Sequence, residues 1–317
     1  MSLFDRLYYG KAGKRDYCEM DMPKTRVALF FLVLKDHFFD LIKVNLLQLV
    51  FWIPLIAWTN INLMAIQSID STAMMASEGG MQQMMNLLSG YVIAYLLGLV
   101  PCIAITGPSS AGAAYIMRNW ARDQHAFLFS DFKDAFKGNW KQALAASAIS
   151  SVIPILAYTA IVFYGGMAES SFVMIVPLIV VLSATLMWML MSPLIYAMMV
   201  GYELKFTAII KNAFLMAAAR VPHMALARIL TFIPIAVLLG GLLVGNMYML
   251  LGVLLYYLIF GFALSRLIYA SFANGVFDKY LNPHIEGAPT GMGLRPHTEE
   301  DDILDEEDEE DDEDEEY

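Results

Sequence analysis

Five long stretches of the chain contain no Asp, Glu, Lys or Arg: residues 44–69, 79–117, 142–168, 170–202 and 229–265. Each exceeds the ~20 residues that a helix needs to cross a bilayer. In hydrocarbon, backbone N–H and C=O groups must be satisfied within the chain, so these stretches are predicted to be helices. Buried helices of soluble proteins usually keep a polar stripe, and these do not. A turn signal at Gly240-Gly241 and Gly245-Asn246 divides the last stretch. The pattern therefore predicts six spans, at roughly 44–63, 90–106, 143–164, 172–191, 229–243 and 248–266. A shorter apolar run, 27–34, precedes them and is followed by Lys35-Asp36-His37 instead of a small-residue cleavage site, so it is not a cleavable signal. Phe30, Phe31, Leu34, Phe38 and Leu41 recur at helical spacing there, which predicts a helix at the membrane surface.

Charge fixes the expected orientation. All 20 Lys and Arg residues fall before the first span, between the second and third, between the fourth and fifth, or at and after the end of the sixth. The intervening loops have none. Positive residues accumulate on the cytoplasmic side, so both termini are expected in the cytoplasm. The formal net charge of −11 seems to suggest solubility, but 16 of the 31 acidic residues lie between Glu299 and Glu316. The rest of the chain has 15 acidic against 20 basic residues. Three regions follow: a cytoplasmic segment with a surface helix (1–43), a six-helix membrane domain (44–281), and a disordered acidic tail (282–317). The tail from Glu299 to Tyr317 is either a solvated extension or a docking element for a basic cytoplasmic partner, with Ile303-Leu304 as its apolar foothold.

Two cytoplasmic linkers carry matching segments, Lys133-Asp134-Ala135-Phe136 and Lys211-Asn212-Ala213-Phe214. An Ile-Pro pair follows each, at Ile153-Pro154 and Ile233-Pro234, which is the pattern of a parallel internal repeat. In the first linker Ser130 is placed to cap a helix, with Asp131 in its first turn. Phe129, Phe132, Phe136 and Trp140 would form an apolar stripe, with Lys133, Lys137 and Lys141 elsewhere. An amphipathic helix follows, lying on anionic head groups or on the protein's own cytoplasmic face.

Candidate chemistry is sparse. The predicted spans hold no ionisable carboxylate or base apart from Arg266 at one end, which argues against a proton-coupled pump or a voltage sensor. No phosphate-binding loop, zinc-protease motif or nucleophile elbow occurs, so no catalytic residue and no cofactor are predicted. The five histidines are scattered outside the spans, and Cys18 and Cys102 lie in different segments, so no metal site or disulfide is expected. Met74-Met75 and Met81 to Met85 belong to a chain with 22 methionines, and this general abundance accounts for them better than copper capture. Nothing points to nucleic acid. The one motif with a physical reason to matter is Gly107-Pro108-Ser109-Ser110, where proline interrupts a helix and small residues admit a close neighbour. It serves either as a packed kink or as part of a binding cavity.

From Thr106 the chain reads Gly107-Pro108-Ser109-Ser110, then Tyr115, Arg118 and Arg122, then Asp131-Phe132, Phe136, Asn139 and Gln142-Ala143. This series resembles the YesL family of bacterial membrane proteins, whose pattern is a Gly-Pro after an apolar helix, an aromatic with two arginines, and a DF…F-K-x-N-x-x-Q-A run. The resemblance extends over roughly 31–281, and the tail after Pro289 departs from it. It implies a bacterial plasma-membrane location, no settled biochemical activity, and genes that often neighbour carbohydrate-uptake transporters. Two functions stay open. One is a non-enzymatic accessory protein that binds the bilayer and a membrane-protein partner near carbohydrate uptake. The other is a transporter or channel for a small neutral solute or lipid. A closed bundle would favour the first, and a continuous polar path past Gly107 and Ser110 the second.

Overall fold

The structure is a computed structural model that describes residues 22–69, 79–168 and 170–296. Cys18, Met74-Met75 and the acidic tail from Glu299 lie outside the described residues. Every regular element among the described residues is helical. Thr25 caps the short α1 (Arg26–Asp36), its Oγ1 accepting from Ala28 N at 3.2 Å. The long helices α2 (Phe38–Gln67) and α3 (Gly80–Ala104) follow, then α4 (Thr106–Trp120), α5 (Leu128–Ala168) and α6 (Ile175–Gly201). Next come α7 (Phe206–Ala219), α8 (Val221–Val244) and α9 (Met247–Tyr256). A π-helical turn (Tyr257–Gly261) joins α9 to α10 (Phe262–Tyr280).

Six of these helical units are long and apolar enough to cross a membrane: α2, α3, α5, α6, α8 and the joined α9–α10. Large apolar side chains such as Leu97, Phe163, Val180 and Leu243 cover their outer surfaces and are exposed. Apolar exposure on this scale suits hydrocarbon and not water. The chain is an integral, multi-pass membrane protein.

The core lies in one half of the bundle. Here α4 is enclosed, packing on α2, α5, α6 and α10, with nearly all its residues buried. It is short and rich in Gly, Ala and Ser, which lets backbones approach closely. A Cβ at Gly107 would stand 2.3 Å from the Ala143 carbonyl oxygen and from Ser147 Oγ, so glycine is required there. The same half carries the charged loops. Arg26 of α1 is ion-paired with Asp278 of α10 and donates to Met292 O at 3.0 Å. Tyr202 donates to Asn282 Oδ1 at 2.6 Å, which joins the α6–α7 loop to the end of α10.

Several expectations need correction. The first linker is not a separate surface helix, because α5 runs unbroken for 41 residues through linker and span. It starts at Leu128, so Ser130 is not the cap. Asp131 instead accepts from Phe127 N at 2.8 Å. Of the predicted stripe, Phe132 is buried while Phe129 and Trp140 are exposed. The second linker does form its own helix, α7, so the two matching segments are built differently. The N-terminal surface helix ends at Asp36; its buried residues are Leu29 and Val33, and Phe38 and Leu41 belong to the first spanning helix. Gly240-Gly241 is helical, and the turn is made by Gly245, at φ 67°, and by Asn246, which accepts from Tyr248 N and Met249 N. Residues 282–296, expected as the start of a disordered tail, fold back on α1: Arg295 N donates to Pro23 O at 3.1 Å and Leu294 joins the core.

Candidate functional site

Beyond the first turn of α4 the bundle opens into a cavity of about 740 Å³. Thr106 lies at its floor. Ser147 and Ser150 of α5, Ser192 and Tyr196 of α6, Arg228 and Thr231 of α8, and Ser265, Arg266 and Tyr269 of α10 supply most of its polar wall. The rest is largely apolar, with Trp52, Ile53 and Ile56 of α2, Phe232 and Leu238 of α8, and Leu254 and Leu258 near the π turn. The volume falls within the ~300–1,000 Å³ usual for small-ligand sites, and so does a mainly apolar wall with a few polar groups.

The two arginines change the picture drawn from sequence. Arg228, expected in a cytoplasmic linker, lies inside α8, which begins at Val221. Arg266, expected at the end of the sixth span, is an interior residue of α10, well before its end at Tyr280. The spans therefore do contain ionisable groups. Arg228 donates to Tyr269 Oη at 2.8 Å, to Ser192 Oγ at 2.6 Å and to the Met189 carbonyl. Arg266 donates to Ser110 Oγ at 2.6 Å. The guanidinium of Arg228 lies 5.0 Å from the Tyr269 ring centre, and that of Arg266 4.8 Å from that of Tyr196. Among the described residues neither arginine has a carboxylate at ion-pair distance. Three polar atoms of the cavity residues lack a protein partner: Gln48 Oε1, Trp52 Nε1 and Arg228 Nε.

The π turn shapes the opposite wall. A π turn shifts the hydrogen-bond register and leaves backbone groups unmatched. Asn45 of α2, fully buried, supplies what they lack. Its Nδ2 donates to the Tyr257 and Leu258 carbonyls, both at 3.0 Å. Its Oδ1 accepts from Phe262 N at 2.9 Å and Ala263 N at 3.1 Å. Tyr257, Leu258 and Phe262 face the cavity as a result. Sequence reasoning missed Asn45, although a lone Asn among apolar residues near the start of a span was a usable signal.

The residues singled out from sequence mostly build the frame. Gly107, Pro108 and Ser109 are buried in the α4–α5 contact, and Ser109 and Ser110 return hydrogen bonds to Thr106 O. Only Ser110 reaches the site, through Arg266. Tyr115 packs against the core cluster that joins α1, α2 and α10. Phe132 abuts Gly112, where a Cβ would meet its carbonyl at 2.9 Å. Phe136 lies 5.5 Å from Phe51, ring to ring, and Asn139 bonds back to Ala135 O within its own helix. Arg118 lies over the Tyr202 ring at 5.9 Å, and Arg122 is buried beside Gly293. Burial pushes the Tyr202 phenol up, and the two arginines pull it back. His37 stacks on Trp120 at 4.4 Å; burial holds its imidazole below the ordinary value of 6.5, against the pull of Asp40 and Asp36. No group of metal-ligating side chains occurs among the described residues.

The motif thus fastens α4 to α5 and seats the charged end, while the cavity is lined by α2, α5, α6, α8 and α10 together. No curated protein and no solved structure matches the chain. Residues 41–161, from α2 into α5, match the family model described as "Protein of unknown function, DUF624". In those residues the chain carries the pattern of DUF624, the YesL-like family that its sequence resembles.

Proposed function

We propose that this chain is a non-enzymatic plasma-membrane protein, with both termini cytoplasmic, that binds an amphipathic molecule drawn from the bilayer. The observation that carries this reading is the cavity, polar at its floor and apolar along its wall. Part of its lining is exposed near the middle of the spanning helices. Ile53, near the midpoint of the 30-residue α2, is exposed, as are Ile56, Leu254 and Leu258. At that depth the surroundings are acyl chains, so a ligand entering there is membrane-soluble.

The buried α4 argues against a channel. Gly107, Ser109 and Ser110 are packed, and the two serine hydroxyls are spent on Thr106 and Arg266, which leaves no free polar group there to line a path. Binding rather than conduction is the reading that results. An accessory role beside carbohydrate uptake is compatible with it and rests on the family resemblance alone.

Native mass spectrometry of the full chain, extracted from membranes in mild detergent, tests the proposal. A non-covalent adduct of lipid-like mass is expected, and Ile235→Trp, which fills the cavity, is expected to remove it without lowering the thermal transition. An adduct-free wild-type chain, or an equal adduct on the filled variant, would contradict the proposal.

A further inference from the structure

We infer that Arg228 and Arg266 form a head-group subsite and that the cavity's ligand is an anionic lipid held by its oxyanion head. The inference rests on the cavity reading above and adds the sign of the ligand's charge. A guanidinium within a membrane span is costly unless it is paired or reaches water. Here two line one cavity, and among the described residues their hydrogen-bond partners are all neutral: Tyr269, Ser192, the Met189 carbonyl and Ser110. No acidic residue occurs in the sequence between Glu203 and Asp278, so α8, α9 and most of α10 offer no counter-charge. Among the described residues nothing supplies the missing charge.

The unused hydrogen-bonding capacity agrees. Among the described residues Arg266 makes one hydrogen bond, from Nη2, and Arg228 Nε has no partner. Trp52 Nε1, occluded by its neighbours, is a second unpartnered donor in a residue that lines the cavity. A ligand that meets the two guanidinium groups is rich in acceptors, and guanidinium forks suit the oxygens of phosphate or carboxylate. Tyr196 and Tyr269 pack on the guanidinium groups and restrict their positions. The apolar wall and its exposed mid-span lining then decide between sources of the anion. A free inorganic or small organic anion would leave Ile53, Ile56, Leu254 and Leu258 without contact, whereas a lipid sets its chains along them. A neutral lipid would leave both charges uncompensated.

The test uses the full chain, delipidated in neutral detergent. Dioctanoyl phosphatidylglycerol, dioctanoyl phosphatidylcholine and glycerol phosphate are titrated in turn, and binding is read by native mass spectrometry and thermal shift. Phosphatidylglycerol is expected to bind at least about tenfold more tightly than phosphatidylcholine, with glycerol phosphate giving no shift. Arg228→Gln and Arg266→Gln are each expected to abolish that preference while phosphatidylcholine binding persists, and Arg266→Lys to restore part of it. Equal binding of the two lipids would overturn the charge assignment and leave the cavity reading standing. Failure of both lipids to bind would overturn the cavity reading itself. Glycerol phosphate binding as tightly as the lipid would assign a free anion and overturn the lipid. If the Gln variants do not fold, the three wild-type titrations still decide.

Discussion

Asn45 meets four backbone groups with one amide, and nothing else in the described residues does that work for the π turn. Replacing it by Leu keeps the volume and removes every partner. Each buried group left unmet costs about 1–3 kcal/mol. Asn45→Leu is therefore expected to destabilise the chain by on the order of 3 kcal/mol, read as a lowered thermal transition in detergent, with part of the loss recovered where the turn relaxes to α-helix. Gly107→Ala places a methyl against a backbone carbonyl, which cannot yield as a side-chain end would. A loss of about 1–3 kcal/mol is expected for such overpacking. His37 gives a pH dependence. Its imidazole is held below 6.5 in the folded chain by burial, so protonation favours the unfolded chain. Its contribution is complete above about 6.5 and is lost as pH falls toward the depressed folded value. Thermal scans from pH 7.5 to 5 are expected to show a steeper decline for wild type than for His37→Gln. Equal slopes would remove His37 as the cause.

Apolar runs revealed the helices but not where their ends stop serving as span and start serving as frame. The 41 residues of α5 include three exposed lysines that read as linker in sequence, because exposure at a basic end looks the same whether a helix continues or stops. The opposite error befell α8. In sequence Arg228 looks like the end of a linker because charge marks the water side, while in the folded chain Ser192, Tyr269 and Met189 from two other helices receive it. Such an acceptance is a tertiary fact, invisible in local pattern. The polar floor of the cavity was hidden for the same reason: Ser147, Ser192, Thr231 and Tyr269 are commonplace in a span until packing brings them together. At this scale α1 depends on Asp278, which also accepts from Asn282 Nδ2 at 2.7 Å and Gly291 N at 3.2 Å. Asp278→Asn is expected to raise amide exchange in Arg26–Asp36 and in residues 289–295 together, measured by hydrogen–deuterium exchange. Exchange confined to one of the two segments would contradict the shared anchor.

The whole molecule divides into two halves with different tasks. One is filled by α4 and closed by the charged segments; among the described residues, all Lys and Arg except Arg228 and Arg266 belong to that end. The other surrounds the cavity and shows an apolar exterior. The six-span plan was legible from five charge-free stretches and the turn signal that divides the last, and the separation of charged from uncharged loops followed from counting. The cavity was not, since it requires that two arginines inside spans be received by hydroxyl, carbonyl and ring groups of other helices. The proposed binding role depends on that cavity being open and occupied from the bilayer. The most direct measurement is cryo-electron microscopy of the full chain in nanodiscs of native membrane lipid, with a rigid binder to add mass. Elongated density is expected to run from the Arg228 and Arg266 guanidinium groups past Trp52 to the exposed lining at Ile53. A cavity collapsed by contact between α2 and α8, with both arginines turned to water at the charged end, would contradict it.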